Sequence, residues 1–202
     1  MKATHFFLIV LLTAIVSHTI ALHLIPTGIM SIAIKRIPIK GVTTAIEDIR
    51  TNPEQSGEDS IRQTIIKQKG INVAMPSPRM DHDQRSVVRA TPDILYTACI
   101  YDLSESALHL TTPTMGGYTS ISAFSHNTDN FFVEDDRTTK NGMLDVTLVP
   151  EDWQGDIPNG SQKVVSPSEK GIVLFRVLIE NEADLAFHVE RQRKARCTPI
   201  SS

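Results

Sequence analysis

The hydrophobic pattern divides the chain into three stretches of different character. Residues Phe6 to Val16 are apolar but for Thr13, and the run extends through Ser17, His18, Thr19, Ile20, Ala21, Leu22, His23 and Leu24 to Ile25. That reaches the roughly 20 residues a helix needs to cross a bilayer. Pro26 is expected to end it, because a proline ring cannot continue the backbone hydrogen-bond ladder. Two fates fit residues 1–27. A cleaved signal peptide would use Thr19-Ile20-Ala21 as its small-residue cleavage site. A retained transmembrane anchor would use the whole run, and the length favours the anchor.

Residues 28–85 have no sustained period and read as a connector. Ile29 to Arg50 mixes apolar and basic residues around Pro38 and Gly41, and Thr51 to Asp59 is polar and rich in turn formers. Ile61, Ile65 and Ile66 stand at helical spacing before Gly70, which predicts a short helix there. Residues 75–86, with Pro76 and Pro78, read as a loop.

From Ser86 the period changes. Short apolar runs split by Pro, Gly, Asn and Asp predict strands at 86–90, 94–102, 106–111, 118–125, 130–134, 143–149, 162–166 and 171–179. Thr112 to Gly117, Lys140-Asn141-Gly142 and Pro158-Asn159-Gly160 are turn signals, Asn-Gly being favoured in tight hairpins. Strands this short and regular predict a mainly β domain over 86–199, an antiparallel β-sandwich or a barrel-like closure of the same strands. After Ile179, Leu185, Ala186 and Val189 share one face among charged residues, which predicts a C-terminal amphipathic helix over 182–195. Asn159-Gly160-Ser161 matches the N-glycosylation sequon but reads first as a turn.

Composition narrows the partners. A hydrophobic content of 41% with 21% charged residues argues for a folded chain rather than a disordered one. The net charge of −3 supplies no basic field, so nucleic acid is not an expected partner. The expected partners are membrane lipid, through the N-terminal helix, and an envelope protein. Of the two cysteines, Cys99 lies in a predicted strand and Cys197 near the C-terminus. They either close a long loop as a disulfide, which needs an oxidising compartment, or stay a buried thiol and a tail thiol. No Cys or Cys/His ligand spacing occurs, so neither a structural metal nor a cofactor is expected.

Side-chain alternation sorts the candidate chemistry. On 94–102, Tyr96 shares a face with Ile94, Ala98 and Ile100, while Tyr101 shares the other with Leu95, Thr97 and Cys99. The two tyrosines therefore point apart. Asp93 and Asp102 flank the strand where carboxylates cap turns. His109, His126, Asp129 and Asp136 are metal-compatible residue types, but their spacing matches no metal motif. Arg176 interrupts the apolar run Ile172 to Ile179, facing with Leu174 and Leu178. A charge there is expected to pair with Asp102 or Asp136, or else to clamp an anion. No Gly-x-Ser-x-Gly elbow accompanies Ser104, Ser120 or Ser122, so nucleophilic catalysis lacks support.

Several of these segments, in order, resemble one family. Pro92-Asp93, Leu95-Tyr96 and Tyr101-Asp102-Leu103-Ser104 are similar to the opening of the bacterial domain of unknown function 1254 family. Leu108-His109-Leu110, Pro113, Tyr118 to Phe124, Asp129-Asn130-Phe131-Phe132 with Asp136-Arg137, and Ser166-Pro167 with Gly171 to Val177 continue the likeness. Ala195-Arg196-Cys197 resembles the ending of its short membrane-anchored members. Met115-Gly116-Gly117-Tyr118 departs from the bulkier aromatic turn of the family. The resemblance implies an envelope protein with a β-rich domain and an unknown activity. Lys35, Arg36 and Lys40 behind the apolar run favour a cytoplasmic flank, whereas Lys2 and the β-rich, cysteine-bearing remainder favour export. The expectation is a single-pass bacterial inner-membrane protein with a periplasmic domain acting in binding or envelope organisation. The alternative is a small-molecule binder or enzyme whose pocket is lined by Tyr96, Asn130, Arg137 and Arg176.

Overall fold

Alternating strands and Gly-rich turns assemble two packed sheets in the computed structural model, which describes residues 3–51, 70–80, 91–114, 117–139 and 141–200. After helix α1 (Ala3–Thr51) come β1 (Met75–Pro76), β2 (Ile94–Asp102), β3 (Ala107–Pro113), β4 (Thr119–Ser125) and β5 (Asn130–Asp135). Strands β6 (Met143–Val149), β7 (Gln162–Val165) and β8 (Lys170–Leu178), helix α2 (Leu185–Arg193) and β9 (Arg196–Ile200) complete the order. The first sheet has the order β1-β2-β8-β4-β5 and the second β7-β6-β3-β9. All pairings are antiparallel except β6 with β7.

The inner faces follow from the period-two pattern. Cys99 and Tyr101 of β2, Leu108 and Leu110 of β3, Ile121 of β4, Val146 and Leu148 of β6 and Phe175 of β8 form the inter-sheet core. A disulfide between Cys99 and Cys197 ties β2 to β9, and so one sheet to the other, with the Cα atoms 6.5 Å apart. Leu95 and Val177 leave an apolar gap at one end, which α2 fills with Leu185 and Val189.

Part of the outer face of the first sheet is covered by α1. Met30, Ala33 and Ile34 of α1 pack there against Met75, Ile100, Ile172, Phe124 and Leu174. Ser31 Oγ lies 3.4 Å from His126 Nε2 in the β4–β5 turn. The helix therefore does not stop at Pro26, and the stretch expected as connector is helical to Thr51. Proline removes one backbone donor, whereas the next turns bury an apolar stripe on the sheet; tertiary packing decides the outcome.

Other boundaries also move. Met75–Pro76, expected in a loop, pairs with Ala98 and Thr97. Arg196–Ile200 is a strand along β3, so α2 ends at Arg193 rather than 195. Gly160 turns with a φ of +86° and Ser161 N–H donates to Pro158 O at 3.1 Å. That turn belongs to the crossover between parallel β6 and β7, not to a hairpin. The strand expected at 86–90 and the helix expected around Ile61 to Ile66 lie outside the described residues.

Candidate functional site

Register assembles one polar row on the outer face of the first sheet. Tyr96 of β2 stands opposite Arg176 of β8, Arg176 opposite Ser120 of β4, and Ser120 opposite Asp135 of β5. Directly paired residues on one face have Cβ atoms about 4.5–5.5 Å apart, so the four positions adjoin in sequence across the sheet. The neighbouring row towards α1 holds Ala98, Leu174, Ser122 and Val133.

Within this patch the hydrogen bonds are unevenly shared. Arg176 Nη1 donates to Ser122 Oγ at 2.7 Å. Neither carboxylate expected to pair with Arg176 does so: Asp102 holds Lys170 Nζ at 2.8 Å, and Asp136 accepts from the Thr119 N–H at 3.2 Å. The reason is the register, which puts Asp102 beside Lys170 at the far end of β2 and β8. Asp135, the carboxylate in the row, is taken by Arg137, whose Nε donates at 3.0 Å. That bond holds the Asp135 carboxyl below its ordinary value. Ser120 Oγ is fully buried and makes no hydrogen bond. The Tyr96 hydroxyl accepts from the Thr91 N–H at 3.4 Å.

The four residues named from the sequence thus separate. Tyr96 and Arg176 are cross-strand partners. Arg137 flanks their row through Asp135, with its side chain 82% exposed. Asn130 does not join them: it pairs with Phe124, four residues along β4 from Ser120, or roughly 13 Å away at strand rise. Ser120, Ser122 and Asp135 complete the patch and were not assigned to it from sequence. A readable trace existed in Thr119-Ser120-Ile121-Ser122-Ala123, where alternation puts two hydroxyls on the face opposite Ile121 and Ala123.

The metal-compatible residues also separate. His109 Nε2 lies 2.8 Å from Asp145 Oδ1 on the second sheet, while His126 faces Ser31. Among the described residues no three His, Cys, Asp or Glu side chains converge. Asp102 acts as a turn cap, accepting from the Ser104 N–H and Oγ at 3.1 and 2.7 Å. Cys99 and Cys197 are joined to each other and supply no thiol.

Comparison with known proteins places this architecture. The family model described as a protein of unknown function (DUF1254) matches residues 71–199. The chain belongs to the DUF1254 family. The match takes in β1 and runs through β9, so the DUF1254 segment is the whole sandwich with α2. The VPA0106 protein from Vibrio parahaemolyticus is similar in structure, with a TM-score of 0.50 at 13% identity over 80% of this chain and 35% of its own. A putative uncharacterized protein from Burkholderia cenocepacia gives 0.43 at 12% identity over 57% of this chain and 33% of its own. The chain therefore spans about a third of the length of these solved structures. The first likeness supports the fold and nothing beyond it. No curated protein matches the chain.

Proposed function

We propose that this chain is a membrane-tethered binding domain of a bacterial envelope, anchored once in the inner membrane with the DUF1254 sandwich on the periplasmic side. Its work in this reading is recognition or organisation, not turnover. The observation that carries it is the continuity of α1: a helix apolar and long enough over Thr4–Lys35 to cross a membrane runs unbroken into Met30, Ala33 and Ile34, which pack on the sheet. Residues Phe6 to Ile25 alone are enough for the ~30 Å hydrocarbon core at 1.5 Å per residue. The Cys99–Cys197 bridge supports an oxidising compartment.

The test is made on envelopes of expressing cells. The full chain should resist alkaline carbonate extraction, keep its N-terminal residues by intact mass, and lose its sandwich to protease added to spheroplasts. Release by carbonate, a mass lacking the first 21 residues, or protection from external protease each sinks the reading. A screened panel of substrates turned over by the purified chain would instead move it to the enzymes.

A further inference from the structure

We infer that the Arg176 patch on the outer face of the first sheet is a binding site for a small oxyanion, the carboxylate or phosphate group of a ligand. This deepens the binding reading above and rests on it only for the ligand's being met by this domain.

The argument is a count of donors against acceptors. A guanidinium carries five N–H donors in a fixed fork and no acceptor. Arg176 uses Nη1 on a neutral hydroxyl and has no carboxylate partner among the described residues. Among the described residues its other nitrogens have no hydrogen-bond partner, and the residue is half-buried. Asp135, the one carboxylate of the row, lies two strands from Arg176. At ~4.8 Å between strands that is about 10 Å, and Arg137 already neutralises it. Among the described residues the fold thus supplies a guanidinium with no carboxylate partner and ties up the one carboxylate of its row on Arg137.

Ser120 is the second, independent observation. Its side chain is 0% exposed, its hydroxyl has no partner, and register sets it directly opposite Arg176. A buried hydroxyl without a hydrogen bond lowers stability, and such orphans persist where something else completes them. Alternation aims it to the same face as Arg176 and Ser122. A planar carboxylate or a phosphate oxygen pair fits the open edge of the guanidinium in a bidentate manner and offers Ser120 the acceptor it lacks. Tyr96, 7% exposed, walls the patch on the β2 side.

The experiment is isothermal titration of the full chain in detergent with inorganic phosphate and, separately, with acetate. Expected is saturable binding of at least one of the two, which also tells phosphate from carboxylate ligands. Arg176→Gln should weaken it about tenfold or more, the scale of a charge-assisted hydrogen bond. Arg176→Lys, keeping the charge without the fork, should fall between. Ser120→Ala should weaken binding while raising the melting temperature of the free protein, because it removes an orphan hydroxyl; a merely structural serine would not split the two readouts. Lys163→Gln, on the other sheet, should leave binding unchanged. Absence of saturable binding for both anions, undiminished binding in Arg176→Gln with a wild-type circular dichroism spectrum, or equal loss in Lys163→Gln overturns the inference. Because detergent-solubilised protein is used, that failure leaves the tether reading standing, and a soluble or cytoplasmic chain that still binds phosphate leaves the oxyanion site standing.

Discussion

Gly171 of β8 faces Tyr101 of β2 across the ladder, and the missing side chain of one is the space the other's ring occupies. A Cβ built on Gly171 would lie 2.6 Å from Tyr101 Cζ and would also collide with the Phe124 carbonyl oxygen of β4. The phenol then reaches Ser166 Oγ at 3.0 Å, deep in the core, and burial pushes it above its ordinary value despite hydrogen bonds with Ser166 and Ser168. Gly171→Ala has nowhere to relax, since one obstacle is strand backbone. It should destabilise by about 3 kcal/mol, the upper end of core overpacking, read as a lowered urea midpoint at unchanged slope.

The bridge between the sheets is the second lever. Cys99 and Cys197 are 98 residues apart, so the bond closes a long loop in the unfolded chain. Removing such a bond costs a small domain about 2–5 kcal/mol. Thermal melts with and without reductant should differ accordingly, and the Cys99→Ala/Cys197→Ala double variant should melt at one temperature in both buffers.

Acid sensitivity follows from Asp102 and Lys170. Burial draws the Asp102 carboxyl upwards, but its bonds from Lys170 and Ser104 outweigh this together and leave it below its ordinary value. A carboxyl lowered on folding adds stability above its unfolded pKa, ~3.9, and loses it as pH falls through the folded value. Lys170 is raised by the Asp102 carboxylate, so its contribution is present at neutral pH and fades as pH climbs through that raised value. Asp102→Asn should flatten urea midpoints at both extremes; an unchanged acid limb would assign that limb to other carboxylates.

The contact between α1 and the sheet predicts a local effect. Met30 is 5% exposed among Met75, Ile100 and Ile172. Met30→Asp buries a charge there and should undock the helix, exposing the packed stretch 30–34 to limited proteolysis while the disulfide-tied sandwich stays intact. Ser31→Ala removes only the 3.4 Å contact with His126 and should leave the cleavage pattern as it was.

What the sequence disclosed and what it concealed divide along a physical line. Alternation is local, so it separated Tyr96 from Tyr101 and set Arg176 on the face of Leu174, as the ladders bear out. Register is not local. Nothing near Arg176 in the chain says that Tyr96 and Ser120 will flank it, or that Asp102 will be spent on Lys170. Short pieces held by tertiary pairing were equally silent: Met75–Pro76 and Arg196–Ile200 both contain proline and are too short to show a period. Helix α1 misled in the opposite sense, because Pro26 marks a break that packing overrides.

A helix of 49 residues is about 74 Å long, more than twice the ~30 Å hydrocarbon core. Met30, Ala33 and Ile34 fasten the helix to the sandwich just past Pro26. In a bilayer spanned as proposed, any tilt of the rod is a tilt of the domain. One sheet is then always turned towards its own rod. The second, carrying the His109–Asp145 pair on its outer face, is then the side turned away from the rod.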